Sequence, residues 1–284
     1  MSNRSRFLIL LGLYAALVAA CFVTLSKEGE ISFGRRPWQN LQTSLNEMSR
    51  PSFLDIWFGN PRLEYKADDG RVLRVEDRRA VEARFVVALL GACWTTLRVA
   101  TLGSLCGALL ALPLALLTAR NLAAPKLLSL SAAFLLNVCR SIHTLVFGLF
   151  FVGVIGLGAT AGILAIAAHS LGTFGKLYAE AIETLDMAAV DAVRSVGASP
   201  AQTFFNAAWP AVLPQFVSSS LYVWEFNIRD STILGLVGAG GLGLLISEAM
   251  SLFQWGRLAT ILFAIILLVA LFDALSRRIR RSLL

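Results

Sequence analysis

Apolar residues in this chain fall into long unbroken runs parted by short polar stretches. The runs cover residues 7–25, 85–119, 127–157, 159–174, 211–228 and 258–275. A helix that crosses about 30 Å of hydrocarbon needs roughly 20 apolar residues. The pattern therefore predicts an all-α membrane protein with about six transmembrane helices. The run 85–119 is longer than one crossing needs, so its spanning part is read as 96–118, with 85–94 as a lead-in along the membrane surface. Pro113 is expected to bend that span, which bilayer helices tolerate when neighbours satisfy the freed carbonyl. Between the first two runs lies a long polar stretch. The chain divides accordingly into an N-terminal transmembrane helix (1–25), a hydrophilic insertion (26–84) and a transmembrane domain (85–284).

Composition supports this reading. Of the 284 residues, 57% are apolar and 15% charged, against about 45–50% and about 25% in soluble domains. A soluble enzyme, a disordered chain and a disulfide scaffold are thereby excluded. The insertion holds 21 of the 43 charged side chains, 11 basic and 10 acidic. The remaining basic excess flanks the terminal runs, at Arg4 and Arg6 and at Arg277, Arg278, Arg280 and Arg281. Positive charge beside membrane spans marks the cytoplasmic side. An even number of crossings agrees, placing both termini in the cytoplasm of a multi-pass protein of the bacterial inner membrane and the insertion outside it. Within the insertion, Leu63-Glu64-Tyr65-Lys66 and Val72-Leu73-Arg74-Val75 flank Asp68-Asp69-Gly70 and read as a small hairpin. Trp38, Trp57, Trp94 and Trp255 read as interfacial anchors in contact with lipid.

Other classes find no support. No basic stripe interleaves with aromatics, so nucleic acid is not an expected partner. Cys21, Cys93, Cys106 and Cys139 are far apart and, like His143 and His169, lack ligand spacing, so no metal site is read. Leu17-Val18-Ala19-Ala20-Cys21 looks like a lipoprotein cleavage box, but the apolar run continues past it, and 7–25 is read as a retained helix.

The stretch 177–209 is polar enough to leave the bilayer. Gly197 can end one helix in a left-handed conformation. Ser199 can cap the next, with Pro200 at its first position, and Pro210 is expected to end it. The result is a helix–turn–helix knob in the cytoplasm. Its spacing resembles the EAA loop of ATP-binding-cassette importer permeases. Asp191 and Ala192 stand in the acidic triplet, Gly197 six residues on, and Pro210 thirteen after that, with Val193 and Trp209 departing from the pattern. The segments Arg140-Ser141-Ile142, Gly156-Leu157-Gly158, Lys176 through Ala181, Asn227 through Thr232 and Gly235 through Gly243 are similar to phosphonate-type permeases, which carry phosphonate, phosphite and hypophosphite. This resemblance covers about 95–280; nothing similar is recognised for 26–84.

The resemblance implies a type I, MetI-like importer permease fold carrying a charged extracytoplasmic insertion. It also implies that Asp191, Ala192, Gly197, Ala198, Ser199, Pro200, Phe204 and Pro210 form a coupling element docking on separate ATPase subunits. Two permease copies would face each other as a homodimer, fed by a periplasmic substrate-binding protein. The permease itself then needs no cofactor and performs no catalysis. In keeping with that, GxxxxGK[ST] is absent, and the near miss at Gly175-Lys176 lacks Gly at 170 and Ser/Thr at 177.

Charges within a span mark candidate substrate paths. Arg140 lies deep in the third run; Glu225 and Arg229 are four apart on the fifth, on one face and able to pair. Arg140, Ser141, His143, Glu225 and Arg229 are candidates to line a path for a phosphorus oxyanion. The competing reading makes Arg229–Glu225, and Arg140 with Asp230, structural ion pairs. Gly238, Gly240, Gly241 and Gly243 match GxGxxG formally, but no βαβ unit precedes them and no acid occurs from 249 to 272. Close backbone packing or a broken helix is the better reading. The alternative function is an ion- or proton-coupled secondary transporter, which internal repeats would favour; none is found. A membrane-embedded enzyme would want clustered nucleophile, base and metal ligands, and these are missing too.

Overall fold

The computed structural model describes residues 3–27, 36–58, 62–66, 72–121 and 125–283. The chain packs as two units, Met1–Glu47 and Met48–Leu284. The first is built on α1 (Asn3–Lys27) and nearly all of α2 (Pro37–Met48). The 25 residues of α1 make a rod about 37 Å long, enough to cross a bilayer. Its large apolar side chains, Phe7, Leu10, Leu13, Leu17 and Phe22 among them, are exposed on every side, as a lipid-facing helix requires.

The second unit opens with a 3-10 turn (Ser52–Leu54) that runs into α3 (Asp55–Phe58). Strands β1 (Arg62–Lys66) and β2 (Val72–Asp77) follow as an antiparallel pair, Leu63 opposite Glu76 and Glu64 opposite Val75. The expected hairpin is thus present; its turn at Asp68-Asp69-Gly70 lies outside the described residues. The Asp77 carboxylate accepts from the Arg79 amide at 3.0 Å and starts α4 (Arg78–Thr118). This helix corrects the second expected span. It is one continuous rod of 41 residues, about 62 Å long, so 85–94 is part of the spanning helix and not a separate surface segment.

The third run is also corrected. Instead of one crossing helix it forms α5 (Lys126–Ser141) and α6 (Thr144–Ile155), bent by 92°. Side chains replace the helical bonds at the elbow: His143 Nδ1 accepts from the Leu145 amide, and His169 Nδ1 meets the Ile142 carbonyl at 2.8 Å. Next, α7 (Ala159–Glu183) runs nine residues past the expected end at 174. Tyr178, Ala179, Ala181 and Ile182 are buried, so 177–183 belong to the bundle and not to a cytoplasmic loop. After α8 (Met187–Ser195) and α9 (Pro200–Thr203), a π turn (Phe204–Ala208) leads into α10 (Trp209–Leu234). A glycine-rich break separates α10 from α11 (Leu242–Ser251), and α12 (Trp255–Leu283) closes the fold.

Among the described residues, α1, α4 and α12 are by themselves long and apolar enough to cross a membrane; two bent pairs, α5 with α6 and 201–237 with α11, raise the number to five. Central α7 is not among them. It packs against α4, α5, α6 and α10, which cover Ser170 fully and His169 in part, polar groups that an isolated span would not carry.

Small residues hold the centre together. Gly103, Gly107, Ala111 and Ala115 recur every fourth residue on α4 and are all buried. A Cβ on Gly103 would lie 2.7 Å from Ile166 Cβ of α7, and one on Gly107 3.0 Å from Ser170 Cβ. In lipid, helices gain no hydrophobic drive from meeting, so close approach over small residues supplies the attraction. One end of the bundle is closed by Tyr178, whose ring stacks on Phe216 at 4.4 Å and whose hydroxyl meets Ser220 Oγ at 2.6 Å. At the other end Leu89 of α4, Leu242 and Ala249 of α11, and Leu258 and Ile261 of α12 form a separate apolar cluster.

Candidate functional site

The segment linking α7 to α10 is locally specified. Asp186 caps α8 by accepting from the Ala188 amide at 2.9 Å. Gly197 then takes φ +86, a conformation glycine enters without steric penalty, and its amide bonds the Arg194 carbonyl at 2.9 Å. Ser199 and Gln202 form a reciprocal box: the Ser199 amide donates to Gln202 Oε1 at 2.9 Å and the Gln202 amide to Ser199 Oγ at 3.3 Å. Two backbone donors at the start of a helix are thus satisfied. The capping roles read for Gly197 and Ser199 agree with the geometry.

Pro210 does not act as expected. It ends nothing: α9, the π turn and α10 form one helical stretch, and the Trp209 amide reaches back five residues to the Phe204 carbonyl. Widening the turn by one residue re-registers the ladder where proline has no donor. Phe204 contacts both Phe205 (5.3 Å) and Trp209 (6.1 Å), and Trp209 meets Phe216 of the core at 6.0 Å. Val196 (82% exposed) and Phe205 (66%) stand out from the knob, an apolar surface suited to a protein partner. Asp191 pairs with Arg194, at 3.7 Å, on the exposed face of α8.

The second group of candidates surrounds the middle of α10. Glu225, nearly buried, meets Arg229 Nη2 at 2.9 Å and, from α12, Arg280 Nη2 at 3.6 Å. Arg229 itself is 52% exposed. Asp230 accepts from Thr144 Oγ1 at 2.6 Å, a contact other than the Arg140 pairing read as an alternative. Arg140 sits in the last turn of α5, exposed, and its Nη2 donates to Asn137 Oδ1 at 3.5 Å. Ser141 Oγ bonds the Asn137 carbonyl. His143 begins α6 and does not share a helical face with Arg140; its ring lies 6.4 Å from that of His169. The Thr144–Asp230 bond brings the elbow after Arg140 against the residue following Arg229.

Sequence reasoning missed the polar contacts around them. Asn227, fully buried, donates to Ser104 Oγ of α4 at 2.7 Å and Ser170 Oγ of α7 at 2.8 Å. Ser231 Oγ donates to the Thr96 carbonyl, and Thr96 Oγ1 accepts from the Leu242 amide at 2.9 Å. A signal was present: Asn227 through Thr232 is polar inside an apolar run, and buried polar groups in a bilayer must find partners. The row at Gly103 and Gly107 carried a second signal as a small-xxx-small pattern.

Both readings of the glycine segment meet in one place. Gly238, Gly240 and Gly241 have φ +95, +81 and +73 and turn the chain by 45° between α10 and α11. An added Cβ on Gly243 would run into the Thr232 carbonyl and Gly235, and one on Gly241 into Thr96 Oγ1. A cavity of about 520 Å³ opens between the ends of α4, α5 and α7, with Lys126, Asn137, Lys176 and Glu180 beside Leu130 and Leu136 on its wall.

Comparison with known proteins covers the same region. The family model described as "Binding-protein-dependent transport system inner membrane component" matches residues 111–284. The putative phosphite transport system permease protein HtxC of Stutzerimonas stutzeri is 39% identical over 189 residues, 66% of this chain and 67% of that protein. The phosphite transport system permease protein PtxC of the same organism is 41% identical over 186 residues, 66% and 68% of the two chains. Among solved structures, an inward-facing conformation of the MetNI methionine ABC transporter matches with a TM-score of 0.63 at 23% identity, over 71% of this chain and 98% of that one. That likeness speaks for the fold alone, and it agrees with the type I permease fold expected from the sequence.

Proposed function

The chain belongs to the family of binding-protein-dependent transport system inner membrane components, and from that membership we propose that it is the permease of an ATP-driven importer for phosphite, phosphonate or a related phosphorus oxyanion. The observation that carries the ATP-driven part is the capped knob around Gly197, continuous with α10 and exposing Val196 and Phe205. A stiff element joined to a spanning helix transmits a rigid-body movement that a loose loop would absorb. ATPase subunits would dock on 186–208, a second permease copy would complete the path, and the binding protein would deliver substrate from outside. Both termini lie in the cytoplasm in this arrangement. Cysteine crosslinkers at Ala198 should capture the partner ATPase in native membranes, and uptake by the reconstituted complex should require ATP and ignore a proton gradient. Uptake that follows the gradient without ATP would overturn the reading.

The half-exposed Arg229 and the exposed Arg140 are the donors we assign to the anion. Guanidinium forks match tetrahedral oxyanions, and such charge-assisted bonds contribute about 1.5–3 kcal/mol. Glu225 has a second partner in Arg280, so removing Arg229 does not strand a buried carboxylate. Arg229→Ala and Arg140→Ala should each lower phosphite uptake by roughly 10- to 100-fold with normal assembly. Wild-type flux in both variants would make these arginines structural.

A further inference from the structure

The helix α2 and the turn after it are hard to reconcile with an insertion standing free in water. On α2, Trp38, Leu41, Leu45 and Met48 follow one another at intervals of three, four and three residues, which aligns them along one stripe. Gln39, Asn40, Gln42, Thr43, Ser44 and Glu47 fill the rest of the surface. No residue of α2 is buried; Trp38, Leu41 and Leu45 of the stripe are exposed and Met48 is half-buried.

Four residues later the chain meets α12. Ser52 Oγ lies 3.1 Å from Thr260 Oγ1, the Phe53 amide donates to the same hydroxyl, and the Phe53 ring stacks on Phe263 at 5.9 Å. Thr260 and Phe263 are five and eight residues into α12, about 8 and 12 Å along its axis. They fall inside the uncharged stretch 258–272 that crosses the bilayer. The turn Ser52–Leu54 is therefore held at membrane depth. Asp55 pairs with Arg78 at 3.4 Å and fixes α3 to the start of α4, while Trp57 (66% exposed) and Phe58 (86%) point away from protein. Aromatic side chains exposed at that depth face the headgroup and acyl boundary, where Trp is enriched.

We propose that residues 37–58 form an interfacial segment whose partner is the lipid bilayer. The apolar stripe of α2 and the ring pair Trp57 and Phe58 enter the leaflet on the side of the membrane remote from the Arg277–Arg281 cluster. The occupant follows from continuity. The chain enters α2 shortly after leaving a spanning helix at Lys27, and leaves it into a turn docked on a second spanning helix. An amphipathic helix with one charged residue, Glu47, and a Trp-Leu-Leu-Met stripe has the build of a helix lying in the interface plane, its apolar face about 5–10 Å below the headgroups. The hydrophilic insertion then reduces to the β1–β2 hairpin and its flanks.

Depth measurement by spin labelling tests this on the full chain in lipid nanodiscs, in a variant whose four cysteines are replaced by serine and which retains uptake. Nitroxides at Leu41→Cys, Leu45→Cys and Phe58→Cys should collide with oxygen and be protected from a water-soluble nickel chelate, reporting depths of about 5–10 Å. Nitroxides at Asn40→Cys and Glu47→Cys should show the opposite. In the protein with its native cysteines, brominated lipid should quench Trp fluorescence, and Trp38→Phe and Trp57→Phe should each lower the quenched fraction. Equal nickel access at all five sites, or no change in quenching, overturns the proposal. Protection at 41 and 45 that appears only when the binding protein is added overturns it too, in favour of a protein-docking face.

Discussion

Replacing Gly172 with alanine should leave little folded protein in the membrane. At this position α7 crosses α5 backbone to backbone. The new Cβ would fall 2.5 Å from the Arg140 amide nitrogen and closer still to the Leu136 carbonyl oxygen. Backbone atoms cannot swing aside as a side chain does, so α5 must move bodily, and with it the elbow that carries Thr144 to Asp230. Overpacking of this kind costs about 1–3 kcal/mol and at times more, a large share of a stability of about 5–15 kcal/mol. Gly103→Ala, whose nearest obstacle is the Ile166 side chain, should be milder. Gly91→Ala, which meets nothing within 4 Å, should be neutral. Detergent-extracted yield and thermal midpoint would rank the three, and a Gly172→Ala protein matching wild type in both would refute the packing described here.

Gly197→Val should abolish coupled uptake while leaving the permease in the membrane at its usual level. An added Cβ there meets no atom within 4 Å, so packing is not the issue. The φ of +86 is, because a β-branched residue held in that region stores about 1–3 kcal/mol and the turn between α8 and α9 would reopen. Gly197→Asn, which tolerates left-handed backbone, should keep most activity, with Gly197→Ala between the two. Capture of the ATPase and the rate of ATP-dependent phosphite uptake would follow the same order, with a loss of about tenfold or more for valine. Equal uptake across the series would mean that the turn does not transmit force.

How much of this was legible depends on the range of the interaction. Runs of apolar residues located α1, α4 and α12, and local chemistry located the knob, because Gly197 bonds Arg194 and Ser199 meets Gln202 within nine residues. The Glu225–Arg229 pair was visible for the same reason, four residues apart on one helix. The elbow between α5 and α6 was not, since no Gly or Pro marks Ile142-His143; the bend is held by His169 and Asp230 from elsewhere in the chain. Pro210 misled because the usual expectation, that proline stops a helix, ignores the π turn that accommodates it. Charges in 78–84 looked like insertion, although Asp77 is a good cap and the helix simply starts before the bilayer does. Ser104, Ser170 and Asn227 meet only once three helices have packed, and Arg280 finds Glu225 only across α12.

The continuous helical stretch from Ala201 to Val237 makes the α9 half of the knob and the fifth span a single crank. On the α7 side, by contrast, the helix ends at Glu183 and the chain passes through Thr184 to Asp186 before α8 begins. In the proposed coupling, torque applied at the knob would reach the spanning helix along the shaft of that crank. From Trp209 to Glu225 that shaft measures about 24 Å, so a swing of about 10° displaces the carboxylate by about 4 Å, beyond the reach of a hydrogen bond. Such a stroke would pull Glu225 away from Arg280 and deliver Arg229 to a different neighbour, converting a small rotation below the membrane into an exchange of ionic partners within it.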